Sequence, residues 1–185
     1  MNAGERLGES IHIGGVFASA KPYVVRTVLG SCIAVCLRDP ISLVGGMNHF
    51  MLPSGSANSL IPTSFGVHAM ELLINRCMGL GSDRNRLEAK IFGGAHVLRI
   101  KESSENVPAV NIKFAREFLQ TEGIPVVSHD LGGYSAREVY FFTDTGRTVL
   151  RRLPATGIAE EEAAVFQRKQ RILTPVVADD NVTLF

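Results

Sequence analysis

Two apolar runs facing each other across one turn constrain this chain most. Residues Cys32-Ile33-Ala34-Val35-Cys36-Leu37-Arg38 read as a buried strand. Asp39-Pro40 is a turn signal, because proline fixes φ and aspartate bonds to its own backbone. Residues 41–52 read as the return strand, weakened at Gly45-Gly46 and running into His49-Phe50-Met51-Leu52-Pro53. A hairpin of this kind decides which side chains meet.

The two that matter chemically are Cys32 and His49, the minimum pair for thiol nucleophilic catalysis. A loop of Asp39-Pro40 alone sets Cys32 opposite Met47, with His49 a diagonal neighbour on the same face at roughly 7 Å between Cβ atoms. A four-residue loop sets Cys32 directly opposite His49, at roughly 5 Å. A three-residue loop turns His49 to the wrong face, since a slip of one residue flips every side chain. Gly30 and Ser31 let a substrate approach the backbone beside the thiol. Ser31 and the backbone N–H of Cys32 are therefore candidates for binding an oxyanion. Cys36 reads as core. A Cys32/Cys36 metal pair has no second pair at ligand spacing, and at roughly 13 Å apart along one strand the two cannot form a disulfide.

A length of 185 residues suits one domain with a real core. The net charge is +1 with no basic block, which argues against nucleic acid as partner. Three cysteines make no disulfide framework, the first residues carry no apolar signal core, and no run of 18 apolar residues spans a membrane. A reducing cytoplasm is expected, and a membrane-embedded substrate would be met from the cytoplasmic side.

In order, residues 1–10 read as a loose start, then Ile11 to Ala18 and Tyr23 to Val28 as strands. Residues 53–59 read as a loop, either a substrate gate or a plain connection. Thr63-Ser64 would cap a helix to about Met78, with Val67, Met70, Ile74, Cys77 and Met78 on its apolar face. Leu87 to Phe92 reads as a strand broken by Gly93-Gly94, which is a turn or a source of oxyanion-binding amides. Pro108 opens a helix with a Val110, Phe114, Phe118 stripe to about Thr121. Ile124 to Ser128 is a strand, Asp130-Leu131-Gly132-Gly133 a turn, and Glu138 to Thr143 with Val149 to Leu153 a final hairpin. A terminal helix is expected over 157–171, with Glu160, Glu161 and Glu162 in its first turn and Arg168, Lys169 and Arg171 in its last, as the macrodipole favours. His12, His68, His96 and His129 have no partner at ligand spacing and read as structural or surface residues.

Leu29-Gly30-Ser31-Cys32 followed by Gly46-Met47-Asn48-His49-Phe50-Met51-Leu52-Pro53 resembles the CheD family of chemoreceptor glutamine deamidases. Ala69-Met70-Glu71-Leu72-Leu73-Ile74, Ala89-Lys90-Ile91-Phe92-Gly93-Gly94-Ala95 and Asp130-Leu131-Gly132-Gly133 continue the resemblance, which runs over about residues 11–153. Where that family usually has an Arg-Asn pair, this chain has Val110-Asn111, and residues 154–185 lie outside the resemblance. The resemblance implies an α+β fold, a mixed β-sandwich with flanking helices, related to the deamidase domain of the cytotoxic necrotizing factor toxins. It implies a deamidase domain over 1–153, with 154–185 a helix and tail packed on it or extending from it. The implied activity is hydrolysis of glutamine side-chain amides in methyl-accepting chemotaxis receptors, with no metal or organic cofactor. Cys32 is the implied nucleophile and His49 the base, and Thr27 corresponds to the threonine that orients the histidine. Gly30 and Ser31 keep the oxyanion- and substrate-binding reading given above from their own chemistry, and the phosphatase CheC is an implied partner. Two other readings share these residues. One is an adaptor that docks on receptors or a phosphatase with catalysis secondary, and the other is a thiol hydrolase acting on a receptor methyl ester.

Overall fold

The structure is a computed structural model. It describes residues 6–52, 60–97 and 107–154, together with 157, 158, 160, 162 and 164, and the side chains of all of these except 60–64. Among the described residues the strands form two sheets. Strands β1 (Leu7–Ser10), β3 (Tyr23–Leu29), β8 (Ala136–Phe142) and β9 (Thr148–Leu153) make one sheet in the order β1-β3-β8-β9. Strands β2 (Val16–Ser19), β4 (Ile33–Arg38), β5 (Gly45–Phe50), β6 (Glu88–Gly93) and β7 (Val126–Leu131) make the other, in the order β2-β5-β4-β6-β7. Both sheets are mixed: β1 runs parallel to β3 and β7 parallel to β6, while the other pairs are antiparallel.

The sheets face each other as a sandwich, and alternation along the strands builds its core. In β3 the odd positions Val25, Thr27 and Leu29 point inward and are buried. Val25 and Leu29 meet Ala34 and Cys36 of β4, Met47 of β5, and Val139 and Phe141 of β8 in one apolar cluster. The odd-numbered residues on the other face of the five-stranded sheet (Ile33, Val35, Leu37, Ala89, Ile91) form a second core against helices α1 (Leu60–Gly79) and α2 (Val107–Thr121). The α+β expectation, a mixed β-sandwich with flanking helices, therefore describes the chain.

Several local expectations need correction. Residues 7–10 form β1 rather than a loose start, because they gain a parallel ladder with β3. The expected strand over Ile11 to Ala18 is broken at Gly14-Gly15, and only Val16–Ser19 pairs. Helix α1 begins at Leu60, so Thr63 and Ser64 lie inside it. Its buried stripe is Met70, Leu73, Ile74 and Cys77, while Val67 and Met78, which lie at the flanks of that stripe on the helical wheel, are exposed. On α2 the stripe centres on Val107, Pro108, Asn111, Ala115 and Leu119, with Val110, Phe114 and Phe118 at its edge. The turn expected at Asp130-Gly133 starts later, because Asp130 and Leu131 are the last residues of β7, and the strand end is held by Arg137, whose buried guanidinium donates to the Asp130 carboxylate and carbonyl at 2.5 Å. The loop expected at 53–59 and most of the expected terminal helix lie outside the described residues, although Ile158, Glu160, Glu162 and Ala164 are helical.

Candidate active site

Gly30-Ser31-Cys32 carries the chain from β3 in one sheet to β4 in the other, so Cys32 sits at the mouth of the sandwich, just before the first paired residue of β4. The β4–β5 register pairs Arg38 with Gly45, Ala34 with His49 and Ile33 with Phe50. The connecting loop is thus six residues, 39–44, longer than any of the lengths considered from sequence. The extra length has a cause: the Asp39 carboxylate, fully buried, accepts the amides of Ile41, Ser42 and Asp83 and the guanidinium of Arg86. Arg86 and these amides hold the Asp39 carboxyl well below the usual carboxylate range, against the opposing effect of burial. Six is even, as two and four are, so Cys32 and His49 keep the same face. His49 opposes Ala34, two residues along from Cys32, which makes thiol and imidazole diagonal neighbours at roughly 7 Å between Cβ atoms.

Thr27 lies on β3 in the opposite sheet, and its Oγ1 reaches across to His49 Nδ1 at 2.8 Å. The same hydroxyl donates to the carbonyl of Ile11 at 2.8 Å. A hydroxyl has one proton to give. With that proton committed to Ile11, the contact to the ring requires Nδ1 to donate, and a neutral imidazole then carries its acceptor lone pair on Nε2. Thr27 (2% exposed) and His49 (3% exposed) are both out of solvent, where such a bond counts for more than in water. Ile11, His12, Thr27, Val28 and His49 also line a cavity of about 330 Å³. His12, set aside on sequence, is therefore adjacent to the site.

The amides at the crossover converge. The N–H groups of Gly30 (2.8 Å) and Cys32 (3.3 Å) donate to Oε1 of Glu162, and the N–H and hydroxyl of Ser31, each at 2.7 Å, donate to Oε2. Three successive amides around one anion form a nest. Each of the last two is aimed through its own peptide unit, because a planar trans peptide points N–H opposite to C=O. Ala95 N–H holds the Gly30 carbonyl at 2.7 Å, which turns Ser31 N–H the other way. Asn111 Nδ2 holds the Ser31 carbonyl at 3.0 Å, which does the same for Cys32 N–H, and its Oδ1 accepts Leu52 N–H at 2.8 Å. Gly94 N–H donates to the Cys32 carbonyl at 2.8 Å, so this amide clasps the Gly30–Cys32 crossover and is committed there. Gly93, at φ 115°, is required there: a Cβ would lie 2.0 Å from the Cys32 carbonyl oxygen.

Asn48, as expected, faces away from the site, bonding Val35 N–H and the Ala69 carbonyl. Cys36 and Cys77 are buried among apolar side chains, and burial pushes both thiols up, Cys77 to about 12. Reading the sequence missed Asn111 and Glu162 as site residues. For Asn111 a signal existed, since it is the one polar residue in the period-3.6 stripe of α2. For Glu162 none did.

A sandwich whose sheet-to-sheet crossover carries a cysteine in a nest of amides, beside a histidine oriented from the facing sheet, has the parts of a thiol acyl-transfer site. The family described as CheD chemotactic sensory transduction matches residues 51–152. Proteins named probable chemoreceptor glutamine deamidase CheD are similar: that of Stenotrophomonas maltophilia strain K279a is 50% identical over 139 residues, covering 75% of this chain and 70% of its own. One from Thiobacillus denitrificans is 47% identical over 144 residues, covering 76% and 71%. This chain belongs to the CheD family. Among solved structures, the Bacillus licheniformis hypothetical protein YfiH is similar with TM-score 0.43 and 16% identity, covering 64% of this chain and 49% of that one.

Proposed function

We propose that the protein hydrolyses the side-chain amide of glutamines in chemoreceptors, converting them to glutamate with release of ammonia. Membership of the CheD family and the names of its relatives support the substrate. One observation supports the chemistry: Thr27 Oγ1 lies 2.8 Å from Nδ1 of His49, a diagonal neighbour of Cys32 on the same face, while the Gly30, Ser31 and Cys32 amides converge on one carboxylate.

His49 Nε2 takes the thiol proton, and the Cys32 thiolate attacks the amide carbon. The carbonyl oxygen becomes an oxyanion, stabilised by the nest of amides. As the tetrahedral adduct collapses, the C–N bond breaks and the leaving nitrogen takes the proton from His49 Nε2, departing as ammonia. Water, losing a proton to His49 Nε2, attacks the thioester. A second collapse breaks the C–S bond, leaving a glutamate carboxylate and returning the thiol. Thr27 acts through His49, keeping the tautomer in which Nε2 is the base.

Among the described residues no helix is long and apolar enough to cross a membrane. A membrane-anchored receptor would therefore be met at its cytoplasmic part, with the cytoplasm as the proposed compartment. The test is peptide-resolved mass spectrometry of a purified receptor fragment after incubation with the protein. Each converted glutamine gains about 1 Da, as expected for replacing NH₂ by OH. Conversion by the wild type and none by Cys32→Ala is the expected result, and a wild type that converts no receptor glutamine overturns the proposal.

A further inference from the structure

The nest at the nucleophile is occupied by the chain itself. Glu162 is 3% exposed, and its carboxylate accepts four hydrogen bonds from Gly30, Ser31 and Cys32, with no Lys or Arg pairing it among the described residues. Beneath it Cys32 and Ser31 are fully buried. With Glu162 bonded to the Cys32 amide, the thiol lies out of reach of solvent.

The segment that carries Glu162 is built to dock by one face. Ile158, one helical turn earlier, packs with Leu153 onto the cluster of Ala95, Val97 and Ala136, while Glu160 and Ala164 on the other side are exposed. The receiving surface is shaped to match: a Cβ on Gly30 would lie 2.7 Å from Glu162 Oε2. A glutamate side chain has the same length and branching as glutamine and differs only in the group that deamidation changes. If the amides that hold Glu162 are those that hold the reaction's oxyanion, then the docked group has the composition of the product.

Resting on the deamidase reading above, we propose that Glu162 is a built-in mimic of the product. It keeps the nest and the thiol closed until a receptor side chain displaces it. The site accordingly accepts a glutaminyl side chain presented from a helix with an apolar anchor one turn before it. A competitor tethered in this way lowers the apparent affinity for substrate by the fraction of molecules that are open, so it acts on KM more than on kcat.

The experiment uses the full chain and reads the alkylation rate of each cysteine with iodoacetamide by peptide mass spectrometry. In Glu162→Ala, Cys32 should label about tenfold faster or more, the factor that one charge-assisted hydrogen bond supplies, while Cys36 and Cys77 stay protected. Glu162→Gln, which keeps the shape but sets an NH₂ against the Ser31 donors, should lie between the two. A synthetic peptide of residues 157–171 should restore protection of Cys32 in Glu162→Ala, and the same peptide with alanine at 162 should not. An unchanged Cys32 rate in both variants, or parallel labelling of all three cysteines, overturns the mimic: the first means the site was never closed, the second that Glu162 only holds the fold. The receptor fragment separates the two proposals. Unmasking of Cys32 with no receptor conversion by any form leaves the closure standing and removes the deamidase reading. Wild-type conversion with no fall in KM on Glu162→Ala leaves the deamidase standing and removes the mimic.

Discussion

Asn111→Ala tests whether the nest is aimed from behind. Asn111 is fully buried and holds two groups that no water reaches, the Leu52 N–H at 2.8 Å and the Ser31 carbonyl at 3.0 Å. Removing the amide leaves both unpaired, at about 1–3 kcal/mol each, so a loss of about 4 kcal/mol is expected. In a chain of this size that lowers the melting temperature by about 8–16 °C. The variant should still fold at 25 °C, since domains carry about 5–15 kcal/mol in all. The catalytic effect is separate. Without Asn111 Nδ2 the Ser31–Cys32 peptide is free to rotate and Cys32 N–H leaves the nest. Loss of one oxyanion donor typically lowers kcat by about 10²–10³ with substrate binding largely kept. Leu119→Ala, in the same buried stripe of α2 but away from the nest, is the control. It should cost a similar amount of stability, about 2–5 kcal/mol, and leave kcat near the wild-type value at 25 °C. Melting curves with receptor-fragment kinetics on both variants decide it. If Asn111→Ala melts early but turns over like Leu119→Ala, the reasoning about the nest is wrong.

Three further outcomes are expected. Cys32→Ala should lose all receptor conversion and melt like the wild type to within about 1 kcal/mol, whereas Cys36→Ala, at an inward position of the same strand, should stay active and lose about 1–2 kcal/mol of stability; the reverse pattern would mean the nucleophile is misassigned. Thr27→Val keeps volume but removes the hydroxyl that orients the His49 ring, so turnover should fall by about 10-fold to 100-fold yet remain above that of Cys32→Ala, and a fully active Thr27→Val would show that another group holds the ring. Asp39 has a folded pKa lowered by Arg86 and three amides. Its stabilisation is therefore complete above the unfolded pKa of about 4 and is lost as pH falls toward the folded value. Asp39→Asn should be less stable than wild type at pH 7, and the gap should narrow below about pH 4; a gap constant from pH 7 to pH 3 would contradict the ion-pair account.

The sequence carries what local period and turn chemistry can encode. The β4–β5 hairpin was legible because its apolar runs are long and its turn begins at Asp39-Pro40, and the parity that puts Cys32 and His49 on one face survived an error in loop length. That length was not legible, because it depends on Asp39 being buried under Arg86, 47 residues away. Helix α2 was legible as a helix but not in its facing: three large apolar residues outweighed Asn111, whose partner Ser31 lies 80 residues upstream. Thr27 came from family resemblance and could not have come from spacing, since its ring contact crosses between sheets. Glu162 read as one of three acidic residues suited to a helix start, and only packing over 130 residues of separation gives it another role.

The Thr27–His49 contact also acts as a gauge of alignment between the two layers. One partner belongs to the four-stranded sheet and the other to the five-stranded sheet. A hydrogen bond of this kind depends steeply on its angle, while strand ladders inside each sheet are indifferent to how the sheets slide. Any substitution in the inter-sheet cluster of Val25, Leu29, Met47, Val139 and Phe141 that lets one layer shear over the other would detune the imidazole while leaving the ladders, and hence the secondary structure, intact. Heat inactivation would then precede spectroscopic unfolding, and the robustness of the chemistry would be set by a greasy interface that no substrate touches.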